Sequence, residues 1–107
     1  MVKKRPYRIV YAPEVKYNLR IIGPQYYSLI KKTIGEQLRF EPNIETRNRK
    51  PLKRPIGFEA KWELRFGLNN CFRIFYRVES INHEVWILAI GIKDGERLIF
   101  GEKEENR

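Results

Sequence analysis

The chain holds 107 residues, 42% of them hydrophobic and 13% aromatic, which suits one domain with its own core and excludes a disordered segment. Lysine and arginine number 22 against 13 acidic residues, giving +9 and an isoelectric point near 9.9; the partner is expected to be anionic, whether nucleic acid, membrane surface or acidic protein. A lone Cys71 rules out an intramolecular disulfide, no stretch spans a bilayer, and MVKKRPYRIV lacks the apolar run of a signal peptide, so a cytoplasmic protein is expected.

Tyr7 to Tyr11 (YRIVY) reads as a short strand after a basic tail. Ala12-Pro13-Glu14 then reads as a helix start, with proline in the first turn and an acid near the positive end of the dipole. Val15, Leu19 and Ile22 lie at i, i+4 and i+7 and form one apolar stripe. Gly23-Pro24 ends that helix and begins a second, in which Tyr27, Ile30, Ile34 and Leu38 keep helical spacing up to about Phe40. Lys31, Lys32 and Arg39 decorate its outside. From Glu41 to about Phe58 the periodicity fails. Three prolines (Pro42, Pro51, Pro55) and the run RNRKPLKR mark an irregular loop, long enough to be functional.

Period-two alternation then takes over. Trp62, Leu64 and Phe66 alternate with Lys61, Glu63 and Arg65; Phe72, Ile74, Tyr76 and Val78 alternate with Arg73, Phe75, Arg77 and Glu79. Gly67 to Cys71 and Ser80 to Glu84 supply the hairpin loops. Val85 to Ile92 (VWILAIGI) is apolar on both faces, as a central strand is. Arg97 to Phe100 adds a short edge, and the acidic tail GEKEENR is expected to fray. The order β-α-α-β-β-β describes a single α+β domain over 1–107, with a two-helix hairpin on one face of an antiparallel sheet of about four strands.

Chemistry-bearing residues are scarce. There is one Asp (Asp94), one His (His83), one Cys and two Ser (Ser28, Ser80). No zinc-ligand spacing, paired carboxylates or glycine-rich nucleotide loop occurs, so neither metal nor cofactor is expected. Trp62 and Trp86 read as core anchors, His83 as a surface residue and Cys71 as a small packing residue. Guanidinium is what abounds. If the hairpin pairs about Asn69, Arg65 faces Arg73 and Lys61 faces Arg77, with Glu63 among them. Like charges placed opposite each other carry a cost. Two readings fit: a solvated face whose long side chains resist edge aggregation, or a phosphate-binding face with Phe75 placed to stack a base. In the loop, Arg47, Arg49, Lys50, Lys53 and Arg54 are either solvated or line the same groove.

Taken together, the basic KPLKRP before the first hairpin strand, WELRFG, FRIFYRVE and VWILAIGIKDGERL, in that order, resemble the RelE/ParE superfamily of type II toxin–antitoxin toxins over Tyr7 to about Phe100. The resemblance implies a small basic toxin blocked by a cognate antitoxin. In the RelE branch such a toxin enters the ribosomal 30S A site and cuts mRNA by attack of a ribose 2′-hydroxyl on the adjacent phosphate. Arg73 matches the branch's arginine that stabilises the pentacoordinate phosphate. Lys61 matches one of its paired lysines, Glu63 occupies the partner position, and Lys93 falls where the branch carries another arginine. Arg65 joins this catalytic set; Arg77 and Arg97 join the loop cations as RNA- or ribosome-binding residues. Where the branch carries a C-terminal tyrosine or histidine, this chain reads Leu98-Ile99-Phe100, which leaves Glu63 as the substitute base. The ParE branch implies the alternative, a gyrase inhibitor that cuts nothing; a third reading is a non-toxic nucleic-acid-binding module.

Overall fold

The alternation from Trp62 to Glu79 is realised as an antiparallel hairpin, and the rest of the chain is arranged around it. The computed structural model describes residues 5–54, 56–57 and 59–100, together with the backbone of 104–105. Its elements run β1 (Arg8–Tyr11), α1 (Val15–Ile22), a single helical turn over Pro24–Tyr26, α2 (Tyr27–Leu38), β2 (Arg49–Pro51), β3 (Trp62–Phe66), β4 (Phe72–Glu79), β5 (Glu84–Asp94), β6 (Arg97–Ile99) and β7 (Glu104–Glu105). Strands β2 to β7 lie side by side in chain order, each antiparallel to the next. β1 pairs with β5 in parallel, so the sheet is mixed.

The two-helix α+β layout in the expected order is present. The short edge expected over Arg97 to Phe100 is present as β6, and the sheet differs in detail by the parallel β1 and by two further short strands, β2 and β7. One of these, β2, lies inside the segment expected to be irregular; Pro51, unable to donate to a ladder, closes it at the sheet edge. Of the acidic tail expected to fray, β7 pairs with β6, and the remaining residues lie outside those described, as does the basic tail at 1–4.

One face of the sheet packs on the helices. Val15 and Ile22 of α1 and Ile30, Ile34 and Leu38 of α2 bury against Leu64, Ile74, Tyr76, Val85, Ile87 and Ile90. Each large aliphatic side chain so buried stabilises the fold by about 1.5–3 kcal/mol. The α1 stripe also contains Asn18, 6% exposed. Along one edge of β5, β1 covers Glu84–Ile87 and β6 covers Ile92–Asp94. In the gap between them, Asn18 Oδ1 accepts from the Ile90 N–H (2.9 Å) and Asn18 Nδ2 donates to the Phe100 carbonyl (2.6 Å). The side-chain amide thus substitutes for a missing stretch of ladder, satisfying backbone groups that are costly to bury unpaired.

His83, expected as a bare surface residue, instead holds the N-terminal segment. Its ring stacks on Tyr7 at 3.8 Å, and Nε2 lies 2.8 Å from the Arg5 carbonyl.

Candidate nucleic-acid interface

Residues alternate across a strand, so the register of β3 and β4 decides which side chains share the face away from the helices. Arg65 stands directly opposite Arg73, as pairing about Asn69 requires. The repulsion this creates is offset by Glu63, two residues along the same strand. Its Oε1 accepts from Arg65 Nε at 2.7 Å and its Oε2 from Arg73 Nη1 at 3.2 Å. A carboxylate 6% exposed is tolerable only when paired and hydrogen-bonded in this way.

Arg73 Nε also donates to the Asn70 carbonyl at 2.8 Å. The Arg73 guanidinium is therefore fixed in position, its side chain 12% exposed against 40% for Arg65. Donors not engaged with Glu63 and Asn70 remain for an incoming anion. The hairpin turn and the β5–β6 turn meet through a bond from the Lys93 N–H to the Cys71 carbonyl (2.8 Å). Between them lies an open groove of about 480 Å³ whose lining includes Arg73, Lys93, Asp94, Leu68 and Asn69.

A second groove, of about 430 Å³, lies on the other side of Arg65 and is lined by Lys50, Lys53, Glu63 and Glu45. Lys50 pairs in register with Glu63, and its Nζ reaches Glu45 at 3.3 Å. Arg73, Arg65, Lys93, Lys50, Lys53 and Glu63 are thus gathered on one end of the outer face. Arg47 and Arg54 are exposed but line neither groove, and neither does Lys61, exposed just before β3.

One expected RNA-binding position, Arg49, is corrected. Arg49, 7% exposed, is turned toward the helix side by its register with Leu64. It donates to the carbonyls of Gln37 at the end of α2 and of Ile44, so it caps a helix C-terminus from inside the protein. Arg97 stands opposite Asp94 at the end of the β5–β6 ladder, exposed and outside the lining of both grooves. Tyr76 works with Arg49 below the same connector, its hydroxyl donating to the Pro42 carbonyl at 2.6 Å. Burial raises the Tyr76 phenol above its ordinary range, and the Arg49 charge partly opposes that rise.

Phe75 is corrected as well. It is 1% exposed and packs against the ring of Phe100 at 5.6 Å, so it stacks no base. Gly91 makes the approach possible: a Cβ there would lie 3.0 Å from the Ile99 carbonyl and 3.1 Å from the Phe100 ring. A β-bulge shifts the β4–β5 register between Phe75 and Tyr76, leaving Leu88 without a partner and buried beside this strip. The outer face is thereby divided in two.

Beyond the strip, Arg77 lies over the Trp86 ring at 5.3 Å and pairs with Glu79 at 2.9 Å. Glu84 accepts from Trp86 Nε1 at 3.1 Å and pairs with Arg8. The Trp86 bond first, and Arg8 second, hold its carboxyl below the ordinary range. Arg77 thus lies at the far end, where it lines a separate groove of about 410 Å³ with Trp86 and Leu88, and does not share the two grooves above. Among the described residues, no three of His, Cys, Asp or Glu come together as a metal-ligand set.

The chain is similar in structure to one chain of the crystallographically determined toxin–antitoxin complex RelBE2 from Mycobacterium tuberculosis. The TM-score is 0.68 at 23% identity, over 85% of this chain and 95% of that one. No family model and no curated protein matches the sequence. At this identity the likeness establishes the fold: two helices on a mixed sheet, in the RelE-like arrangement.

Proposed function

We propose that this protein is the toxin of a type II toxin–antitoxin pair, acting in the cytoplasm as an endoribonuclease that cuts mRNA in the ribosomal A site. The observation that carries the reading is the fixed Arg73 guanidinium facing Lys93 across an open groove, with Arg65 tied to it through Glu63. In the reaction, the ribose 2′-oxygen bonds to phosphorus and the P–O5′ bond breaks. The products are a 2′,3′-cyclic phosphate and a 5′-hydroxyl; water takes the 2′ proton and supplies one to the leaving oxygen. Charge builds on the phosphorane oxygens, where preorganised guanidinium and ammonium donors act most strongly. Glu63 positions the arginines, since both of its oxygens are already engaged.

An antitoxin is the expected partner, because the similar structure is a toxin–antitoxin complex. Tyr17, Ile21 and Leu29 leave apolar surface on the helices for such a partner to cover. A second reading, poisoning by binding alone as in a gyrase inhibitor, is favoured by one observation. The groove lining includes no histidine or tyrosine for proton transfer, only the Asp94 carboxylate, and His83 is held against Tyr7.

Induced expression in a bacterial host separates the two. Arrest of protein synthesis with new mRNA 5′ ends, abolished by Arg73→Ala, supports cutting. An SOS response with stalled gyrase complexes supports the second reading. Normal growth without any antitoxin sinks both.

A further inference from the structure

The tip of the β3–β4 hairpin is closed by bonds from the Asn70 N–H to the Gly67 carbonyl (2.9 Å) and from the Cys71 N–H to the Leu68 carbonyl (3.1 Å), which leaves two side chains free to face the groove. Leu68 is 82% exposed. Asn69 and Asn70 follow it with φ of +56° and +54°, the left-handed turn conformation that asparagine tolerates. The Asn69 side chain makes no hydrogen bond among the described residues, yet it lines the groove whose other wall is Arg73 and Lys93. An apolar side chain and a carboxamide are therefore held beside two cations, with the Asp94 carboxylate also in the lining. The groove's volume of about 480 Å³ falls within the range of roughly 300–1,000 Å³ that takes small organic ligands.

We propose that this groove is a base-reading subsite for single-stranded RNA. Arg73 and Lys93 hold the phosphate, Leu68 packs against the face of the attached base, and the Asn69 amide reads its edge. A carboxamide offers a donor and an acceptor side by side, the pattern a base edge presents, and apolar side chains cover the faces of unstacked bases. The assignment rests on the RNA reading above and adds to it the source of nucleotide preference.

The test is a fluorescence-anisotropy titration of the full chain with labelled oligouridine carrying a single central A, C or G. The wild-type protein is expected to separate best from worst by roughly fivefold to a hundredfold. In Asn69→Gly, affinity for the preferred oligonucleotide falls to that for the others, while the melting temperature stays level or rises because the left-handed position is relieved. Asn69→Asp, which exchanges an amide donor for a second acceptor, shifts the preference toward bases that present an amino group. Discrimination that survives Asn69→Gly, or wild-type binding with no discrimination, overturns the subsite and leaves the RNA reading standing. A wild-type chain that binds none of the oligonucleotides overturns the subsite, while the RNA reading, which places the activity on the ribosome, is decided by the expression experiment above.

Discussion

The two ends of the outer sheet face use the same residue types to opposite effect. Beyond the Phe75–Phe100 strip, charges are matched locally: Arg77 with Glu79 and the Trp86 ring, Arg8 with Glu84. At the hairpin end a single buried carboxylate, Glu63, serves two guanidinia, and Lys93 makes no ion pair among the described residues. Local pairing balances the far end charge for charge, with Arg77 spending only its Nε on Glu79. Sharing one carboxylate fixes the arginines in place and leaves part of their capacity for a ligand. An arginine count therefore predicts little about function; the ratio of cations to carboxylates within a few ångströms predicts more.

The sharpest way to break this comparison is Arg73→Ala. It is expected to lower RNA cleavage by about 10²–10³-fold, the effect of removing one preorganised donor from a developing oxyanion, with circular dichroism unchanged. Next comes Glu63→Ala, which leaves Arg73 partly buried and without its carboxylate; urea unfolding should show a loss of about 3–5 kcal/mol. Arg49→Ala should cost about 1–3 kcal/mol through unsatisfied buried carbonyls, without changing RNA affinity. A clear loss of affinity would return Arg49 to the interface. At the far end, Arg77→Ala should cost only about 0.5–1 kcal/mol of cation–π stabilisation.

The smallest effect is with pH. The folded Glu84 carboxyl is held below its ordinary value, so its contribution is present above the unfolded pKa and is lost as pH falls through the folded one. Glu84→Gln should flatten the acid limb of a stability–pH curve, and an unaltered limb would assign that sensitivity elsewhere.

Much of this arrangement is legible before any coordinates. Strict alternation on either side of Asn69 determines the register that sets Arg65 against Arg73, and the helical stripes name the core residues of α1 and α2. What is not legible depends on contacts remote in the chain. Arg49 looks like one cation in a basic run because nothing local shows that β2 pairs with β3 and turns it inward. Phe75 reads as part of a wet face because Phe100, which covers it, arrives from the far side of β5. Asn18 looks like a helix-surface residue, and its role exists only because β1 and β6 leave a gap along one strand.

The central claim is that the hairpin end, and not the far end, binds the phosphate backbone. The most direct test is the slope of log affinity against log salt for a single-stranded RNA, compared among wild type, Arg73→Ala, Lys93→Ala and Arg77→Ala. Each phosphate contact on a single strand contributes about 0.7 to that slope. The account predicts a slope shallower by about that amount for Arg73→Ala and for Lys93→Ala, and an unchanged slope for Arg77→Ala. Equal loss in all three variants would contradict it, as would loss confined to Arg77→Ala.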